Sequence, residues 1–314
     1  MYAFGQHRRA LVVGHFSTVG DVEVLHEVEK QLVAVGLPYD VAPYRSELAE
    51  LERGWTNLSV VDADRYTHLL IVCGPLSRRY LQRRAIDLDR FAHCIKIGVN
   101  LTMVEPLSDW NPLDALIGRD ADTWGQADLS FLQDVPRVPV AGLCLVEQQR
   151  EYGDRQRHQE AGDRLRRLAR RNGLAVVPVD TECFVAGCGT ISPSNFESVI
   201  ARLDVMLTTR LHGTVLSLKN GVPVIAIDAI VGGGKVTQQG NAIGWPEVFA
   251  VEAVDDAMLD GALARCLEPA ARTRVQSCVG AARGSLADFS QELGQWLAME
   301  PRAGYRVTSP FIGC

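Results

Sequence analysis

The sequence predicts an α/β protein, because short apolar runs alternate along most of the chain with segments of helical periodicity. Residues 10–14 and 68–73 are two such runs, each followed by a turn, and residues 21–35 show the spacing of a helix. Alternation of this kind predicts parallel sheets covered by helices. A length of 314 residues predicts two domains, and the two prolines within Asp134–Pro139 mark the expected linker.

The individual elements follow from the same patterns. The expected strands are apolar runs near residues 10–14, 38–43, 68–73, 95–99, 138–145, 174–179, 204–208, 223–227 and 247–251. The expected helices cover residues 21–35, 45–53, 156–172, 194–202, 212–219 and 255–268. Leu286, Phe289, Leu293 and Trp296 mark a final helix at 285–300, and residues 301–314 form a tail.

The first strand leads into a short connection, His15 to Gly20, before a helix that is expected to begin at Asp21. Asp21 has two interpretations, a helix cap or a residue of an active site. His15 lies on the same expected rim and is a lesser candidate.

The stretch from Asp204 to Lys235 fits one βαβ unit and places several polar groups at the carboxyl ends of its strands. Arg210 offers a planar fork for a carboxylate or phosphate, and His212 can move a proton near neutral pH. The glycines 232–234 let backbone N–H groups converge on an anion, and Lys235 adds a positive charge. Each of these features, taken alone, more often has a structural role. The spacing of the glycines and Lys235 does not match a Walker A loop. Together at one rim they favour an anion-handling site.

Composition restricts the functional classes. With a net charge of −6, general attraction to nucleic acid is not expected, and the basic run at 164–171 has the spacing of an amphipathic helix with a solvated basic face. Cys73, Cys144 and Cys266 lie in apolar patterns typical of buried thiols, whereas Cys183 and Cys188 share a loop without zinc spacing. No secretory signal or membrane-spanning stretch is recognised, so the cytoplasm is the expected location.

Residues 192–246 resemble the polysaccharide pyruvyl transferase family. The resemblance rests on the Thr-Thr-Arg-Leu-His sequence that ends at His212, the strand Gly221–Ile227 with its Gly-Val-Pro start, and Lys235 beyond it. Gly14, Gly20 and Asp21 match the family's N-terminal opening, although its asparagine is absent here. The resemblance implies two Rossmann-like domains facing a cleft, as in glycosyltransferase-B folds. The acceptor would bind to residues 1–136 and the donor to residues 137–284, with the final helix returning to the first domain.

The resemblance also implies an activity, the transfer of pyruvate from phosphoenolpyruvate to a sugar or other hydroxylated acceptor as a ketal. Arg210, Lys235 and the N–H groups of Gly232, Gly233 and Gly234 would hold the donor, and His212 would be the general acid. Asp21 is a further catalytic candidate. Candidates on the acceptor side are Gly14, His15, Gly20 and Trp110. No cofactor or metal is required beyond phosphoenolpyruvate as co-substrate.

Other functions remain open at this stage. A glycosyltransferase could use the Arg-His pair to hold the diphosphate of a nucleotide sugar. The missing asparagine suggests a non-catalytic binding protein. The modest length of the chain suggests an enzyme that acts on a small-molecule acceptor. A homo-oligomer is also compatible with the sequence.

Overall fold

The computed structural model describes residues 8–51, 54–84, 86–122, 124–185, 189–190 and 192–299. The chain divides into two compact units, residues 1–136 and 137–314. Each unit contains a five-stranded parallel sheet with associated helices. The predicted α/β class with two Rossmann-like units is therefore confirmed.

Unit 1 is built from nine strands and three α-helices within the described residues. Its elements are β1 (Ala10–Gly14), α1 (Val19–Ala34), β2 (Tyr39–Pro43), α2 (Ser46–Leu51), β3 (His68–Val72), β4 (Pro75–Leu76), α3 (Arg78–Arg83), β5 (Ile95–Val99), β6 (Thr102–Met103), β7 (Ala115–Ile117), β8 (Asp120–Ala121) and β9 (Trp124–Gly125). The main sheet has the order β2-β1-β3-β5-β7.

The central strands of unit 1 are apolar on both faces, which explains why they form continuous hydrophobic runs in the sequence. Leu11 and Val13 of β1 contribute to one core cluster. The alternate residues Ala10 and Val12 contribute to a second cluster on the opposite face. The sheet therefore lies between two hydrophobic layers.

Unit 2 contains seven strands and seven α-helices within the described residues. Its elements are β10 (Val140–Cys144), α4 (His158–Arg171), β11 (Ala175–Pro178), β12 (Phe184–Val185), β13 (Gly189–Thr190), α5 (Pro193–Ile200), β14 (Val205–Thr208), α6 (Leu211–Lys219), β15 (Val224–Asp228), α7 (Lys235–Ile243), β16 (Val248–Ala250), α8 (Asp256–Leu267), α9 (Ala270–Ser285) and α10 (Phe289–Leu297). The main sheet has the order β11-β10-β14-β15-β16, and β12 and β13 form a small antiparallel pair.

The helices of unit 2 cover both faces of its sheet. α4 and α8 contact each other and the central strands, while α6 and α7 both contact α9. One continuous core fills the unit and includes Leu165 of α4, Leu207 of β14 and Ile225 of β15, all fully buried. The buried face of α4 leaves its arginines outside, and three of them pair with carboxylates, as in Arg164 with Glu160. The interpretation of residues 164–171 as a solvated basic face agrees with these contacts.

Several expectations change in detail. α1 begins at Val19 rather than at Asp21, and its cap is Thr18, whose Oγ1 accepts the backbone N–H of Asp21. Asp21 is therefore not the N-cap, and it lies in the first turn of the helix. α3, α7, α9 and the edge strand β7 were not expected from the sequence patterns.

The cysteine interpretation holds where the structure describes the residues. Cys73, Cys144 and Cys266 are buried free thiols, and burial raises the pKa of Cys144 to about 11. Cys183 is exposed. Cys188 and the tail at 301–314 lie outside the described residues.

Candidate functional site

The strand order of unit 2 identifies its expected ligand-binding edge. The chain passes from β10 to β11 on one side and then returns to place β14 on the other side of β10. In open α/β sheets, ligands bind beyond the carboxyl ends of the strands at such a switch point. The residues that follow Cys144 of β10 and Thr208 of β14 are therefore the expected location of a site.

Two threonines join these strand ends. Thr208 Oγ1 donates to the carbonyl oxygen of Cys144 at 2.7 Å and accepts the backbone N–H of Arg210 at 2.9 Å. Thr209 Oγ1 accepts the backbone N–H of Val146 at 2.9 Å. The threonine pair thus fixes the backbone that carries Arg210 at the switch point.

The Arg210 guanidinium is partly buried and already surrounded by oxygen atoms. Its Nε donates to the Leu145 carbonyl oxygen at 2.9 Å. The two Nη atoms face carboxylates, with Nη2 at 3.3 Å from Asp180 and Nη1 at 3.4 Å from Glu182. The side chains of Asp180 and Glu182 are 41% and 64% exposed, whereas that of Arg210 is 17% exposed. Exposed ion pairs of this kind contribute about 0–1 kcal/mol, so an anionic ligand can replace them at little cost.

His212 is exposed in the first turn of α6, two residues after Arg210. The N-cap position of α6 is Arg210, whose side chain forms no cap hydrogen bond. Gly213 allows this turn to lie against the strand end, because a Cβ there would come within 2.3 Å of Thr208 Oγ1. The imidazole is therefore held at the rim by a tightly packed helix start.

The glycine loop differs from the predicted anion nest. Gly232 and Gly233 have φ values of 80° and 85°, so this turn needs glycine. The N–H of Gly232 donates to Glu252 at 2.9 Å, that of Gly233 to the Ile230 carbonyl at 2.9 Å, and that of Gly234 to Asp228 at 2.8 Å. All three donors are used within the protein, so they do not form an open nest here.

Asp228 explains the shape of this loop. Its buried carboxylate accepts N–H groups from Ile230, Gly234 and Thr237 at 2.8 to 3.1 Å. Two of these groups belong to the N-terminal end of α7, which begins at Lys235. Asp228 therefore satisfies backbone donors at the start of α7, and Lys235 is exposed.

Residues 149–157, which we call the crossing segment, extend from the end of β10 toward the loop after β15. Arg157 N donates to the Ala229 carbonyl at 2.7 Å and Val231 N donates to the Arg155 carbonyl at 2.9 Å. Because β14 lies between β10 and β15, the crossing segment passes over the carboxyl end of β14. It brings the start of α4 to the rim that carries Arg210.

His158, the first residue of α4, is buried although the surrounding sequence is polar. The residue is 5% exposed, and neither ring nitrogen has a hydrogen-bond partner among the described residues. Burial lowers the pKa of His158, while the charges of Asp228 and Glu151 act in the opposite direction and those of Lys235 and Arg210 in the same direction. Burial is therefore the main cause of the lowered pKa of His158, and charges of both signs act on its ring.

His158 also lines an open crevice of about 830 Å³. The crevice, called here the α4 crevice, is formed mainly by polar side chains from the end of β10, the crossing segment and the start of α4. They include Glu147, Gln148, Gln156, Arg157, His158 and Gln159.

Unit 1 has its own switch point, between β1 and β3. Gly14 ends β1, where a Cβ would lie 2.2 Å from the Val72 carbonyl oxygen, so its role in the fold is close strand packing. His15 follows, half-buried, with Nδ1 at 2.5 Å from Ser17 Oγ. Gly20 is exposed in the first turn of α1, next to Asp21. These four predicted residues thus share the β1 rim.

Trp110 lies elsewhere on unit 1. It packs against the core cluster that includes Leu76 and Leu101, and the Arg78 guanidinium lies 5.9 Å from its ring centroid. The described contacts do not join Trp110 to His15 or Asp21.

A polar cluster near β5 also escaped sequence reasoning. Asp128 accepts hydrogen bonds from Asn100 Nδ2 at 3.1 Å and Arg119 at 3.0 Å. Although burial acts to raise it, the pKa of Asp128 is held well below its ordinary value by hydrogen bonds from Ser130, Asn100 and Arg119. Phe16, Cys73 and Asn100, which lie just beyond β1, β3 and β5, all have positive φ values. The rim of unit 1 therefore concentrates uncommon backbone conformations.

Within the described part of the chain, no group of three or more His, Cys, Asp or Glu side chains has an arrangement that could hold a metal ion. Helices in the same ranges are too short or too polar to cross a bilayer.

The comparisons with known proteins agree with the motif at the switch point. The family model described as "Polysaccharide pyruvyl transferase" matches residues 145–229. The predicted resemblance is thereby confirmed over a stretch that begins directly after β10 and contains Arg210, His212 and β15. This similarity indicates a transferase. No curated protein matches the chain.

Solved structures with a similar chain path have low sequence identity. The glycotransferase of kitacinnamycin is 13% identical over 89% of this chain and 96% of its own, with a TM-score of 0.32. The spinosyn forosaminyltransferase is 15% identical over 93% and 100%, with a TM-score of 0.32. The UDP-GlcNAc 2-epimerase of Methanocaldococcus jannaschii is 8% identical over 83% and 93%, with a TM-score of 0.30. At these scores the likenesses carry no argument about activity.

Proposed function

We propose that the protein transfers pyruvate from phosphoenolpyruvate to a sugar or small hydroxylated acceptor as a ketal. The observation that carries the proposal is the placement of Arg210 and His212 at the switch point of unit 2, inside the stretch that matches the pyruvyl transferase model. Phosphoenolpyruvate carries a carboxylate and a phosphate, and Arg210 and Lys235 supply two cations for them.

Arg210 is the primary anion ligand in this proposal. Its Nε is held by the Leu145 carbonyl, so the planar fork has a fixed orientation, while its Nη atoms contact the Thr181 hydroxyl and two exposed carboxylates. A bidentate carboxylate or phosphate binds this face with shorter, better-aligned hydrogen bonds. Lys235 contributes a flexible point charge from the start of α7.

His212 is the general acid of the proposed reaction. Its imidazolium protonates the methylene carbon of phosphoenolpyruvate, and the positive charge that develops at C2 is attacked by an acceptor hydroxyl. The bond from C2 to the phosphate oxygen then breaks and phosphate leaves. A neighbouring hydroxyl forms the second C2–O bond. Two hydroxyl protons are released, of which one restores His212 and the other goes to the departing phosphate.

The glycine N–H groups have no role in this scheme, because Asp228, Glu252 and Ile230 already accept them. This departs from the expectation drawn from the sequence. Catalysis by Asp21 and acceptor contacts from Gly14, His15, Gly20 and Trp110 stay predictions.

The proposal is tested by incubating the protein with phosphoenolpyruvate and a panel of sugars and polyols that carry neighbouring hydroxyls. Ketal formation and release of inorganic phosphate are followed by NMR. We expect His212→Ala to lower the rate by about 10²–10⁴-fold while the protein remains folded. His26→Ala, which removes an exposed imidazole from α1, is the matched control and should retain the wild-type rate.

Three results would contradict the proposal. Full activity in a folded His212→Ala protein removes the proposed acid. Release of a nucleoside phosphate from a nucleotide sugar identifies a glycosyltransferase. A ligand that binds and is recovered unchanged identifies a binding protein.

A further inference from the structure

Asp180 and Arg210 approach each other across the end of β10. Asp180 comes two residues after β11 and Arg210 two residues after β14, and β10 lies between these two strands. The Arg210 side chain reaches over β10, where its Nε donates to the Leu145 carbonyl, and its Nη2 lies 3.3 Å from Asp180 Oδ1. At this edge of the sheet, the guanidinium therefore has the loop after β11 on one side and the start of α6, with His212, on the other.

The Asp180 carboxylate is oriented by its own loop. Its Oδ1 accepts the backbone N–H of Glu182 at 3.0 Å, which is the hydrogen bond of an Asx turn, so the carboxylate keeps its place without the guanidinium. Its Oδ2 bonds to no residue that the structure describes, and this atom is not buried. Asp180 therefore presents an unused, accessible oxygen beside Arg210.

Glu182 has a different relation to the same guanidinium. Its Oε1 accepts from both Nη atoms of Arg210 at 3.4 Å, so an anion that binds the guanidinium fork takes the place of the Glu182 side chain. Asp180, which its own turn holds, can stay beside the bound anion. Negative charge next to a carboxylate favours the protonated form of that carboxylate. Binding of an anionic donor therefore prepares Asp180 to accept a proton.

We propose that Asp180 is the general base of the transfer and takes the proton of the acceptor hydroxyl that attacks the donor held by Arg210. The inference rests on the proposed function, in which that donor is phosphoenolpyruvate. As the new C2–O bond forms, the O–H bond breaks and its proton goes to Asp180 Oδ2. Asp180 then gives this proton to the phosphate that leaves C2, and the proton of the second hydroxyl restores His212. The methylene carbon and the phosphate thus each gain one proton, and Asp180 returns to its ionised form.

The experiment separates the chemical step from donor binding. Turnover with phosphoenolpyruvate is measured on the panel of sugars and polyols, and Kd for phosphoenolpyruvate is measured by calorimetry. Asp180→Asn keeps an oxygen for the Glu182 N–H but cannot take up the proton, so we expect kcat to fall by about 10²–10⁴-fold. Kd should stay unchanged or fall, because a negative charge beside the donor is removed. Asp288→Asn, which alters an exposed side chain without a cap hydrogen bond, is the matched control and should equal wild type in both measurements.

Chemical rescue supplies a readout that a purely structural role would not change. Asp180→Ala removes the carboxylate and leaves space at an exposed position, which formate can enter as a small substitute base. Added formate should raise the turnover of Asp180→Ala by roughly tenfold or more, a part of the loss expected for a missing base. Formate should not raise the turnover of wild type or of His212→Ala, because neither lacks this base.

The outcomes distinguish this inference from the proposed function. Full turnover in a folded Asp180→Asn protein overturns the inference and leaves pyruvyl transfer intact. A rise in Kd that matches the loss of turnover, without rescue by formate, also overturns it, because Asp180 would then only hold Arg210 in place. Loss of turnover in Glu182→Gln but not in Asp180→Asn assigns the proton to Glu182 instead.

Two results concern the donor. If wild type transfers a sugar from a nucleotide sugar and not pyruvate, the proposed function fails. Formate rescue of Asp180→Ala in that reaction then supports the inference, and its absence overturns it. A wild-type protein that transfers from neither donor overturns both. If Asp180→Ala does not fold, the turnover and Kd of Asp180→Asn decide.

Discussion

Gly213 lies so close to Thr208 that a Cβ at position 213 would come within 2.3 Å of Thr208 Oγ1. The same hydroxyl bonds to Cys144 and accepts the N–H of Arg210, so it cannot move without disturbing the strand ends. The start of α6, which carries His212, is thereby fixed against the rim of the sheet.

We expect Gly213→Ala to lower the free energy of unfolding by about 1–3 kcal/mol, because the added methyl group overpacks this contact. Gly280→Ala is the matched control, since a Cβ at that position on α9 meets nothing within 4 Å. That change should raise the free energy of unfolding by about 0.5–1 kcal/mol, the usual gain for alanine in a helix. Urea denaturation measures both, and equal effects in the two variants would contradict the packing argument.

Asp228→Asn is expected to destabilise the start of α7. The buried carboxylate accepts three backbone N–H groups, and an amide cannot accept all three without turning its own N–H₂ toward them. Each buried donor left unpaired costs about 1–3 kcal/mol. Hydrogen exchange should accelerate at the amides of Gly234 and Thr237 more than at those of α9. Unchanged exchange at these two amides would show that the carboxylate does not hold the loop.

Removing a carboxylate beside Arg210 should strengthen phosphoenolpyruvate binding. Glu182→Gln deletes a contact of 3.4 Å to an exposed side chain, so we expect a stability change below about 0.5 kcal/mol. The ligand no longer competes with this charge, and Kd should fall by about two- to fivefold. Calorimetry measures Kd, with Glu292→Gln on the exposed α10 as a control of equal charge. Weaker binding in Glu182→Gln would instead assign Glu182 a direct part in holding the ligand.

The protein should lose stability on mild acidification in part through His158. Because burial lowers the pKa of this residue in the folded state, the unfolded chain binds a proton first as pH falls below about 6.5, the ordinary value for histidine. The contribution of His158 to the free energy of unfolding is therefore fully present above about pH 6.5 and is lost as the pH falls below that value. Lys235 and Arg210 reinforce the shift, whereas Asp228 and Glu151 oppose it.

The measurement compares urea midpoints at pH 7.5 and 5.5 for wild type and His158→Leu. Wild type should lose more stability between the two pH values than the variant does. His68, whose pKa burial also lowers, contributes equally to both proteins and cancels in the comparison. An identical loss would mean that His158 is solvated in the folded protein.

The parts of this fold that the sequence predicts are those with strong local patterns. The buried runs at β1, β3, β14 and β15 are apolar on both faces, and each was expected within one or two residues of its observed bounds. Arg210 was placed correctly at a strand end, because a charged residue that follows a fully apolar run marks the point where the buried strand stops. α7 was missed because three glycines ahead of Lys235 have the composition of a loop.

The remaining errors concern contacts that no local pattern encodes. The sequence places Asp228 at the end of a strand. It does not show that the Asp228 carboxylate accepts hydrogen bonds from backbone N–H groups of the glycine loop. His158 stands among arginines and glutamines that predict an exposed helix start. The crossing segment that precedes it pairs with residues 229–231, and His158 is buried.

That pairing has a consequence for engineering. Because Arg157 and Ala229 join two loops from different strands by backbone hydrogen bonds, neither loop has an independent conformation to transplant. A chimera that exchanges residues 149–157 with a relative should therefore also take residues 229–234 from the same parent, and a library that randomises one loop alone samples mostly mismatched pairs.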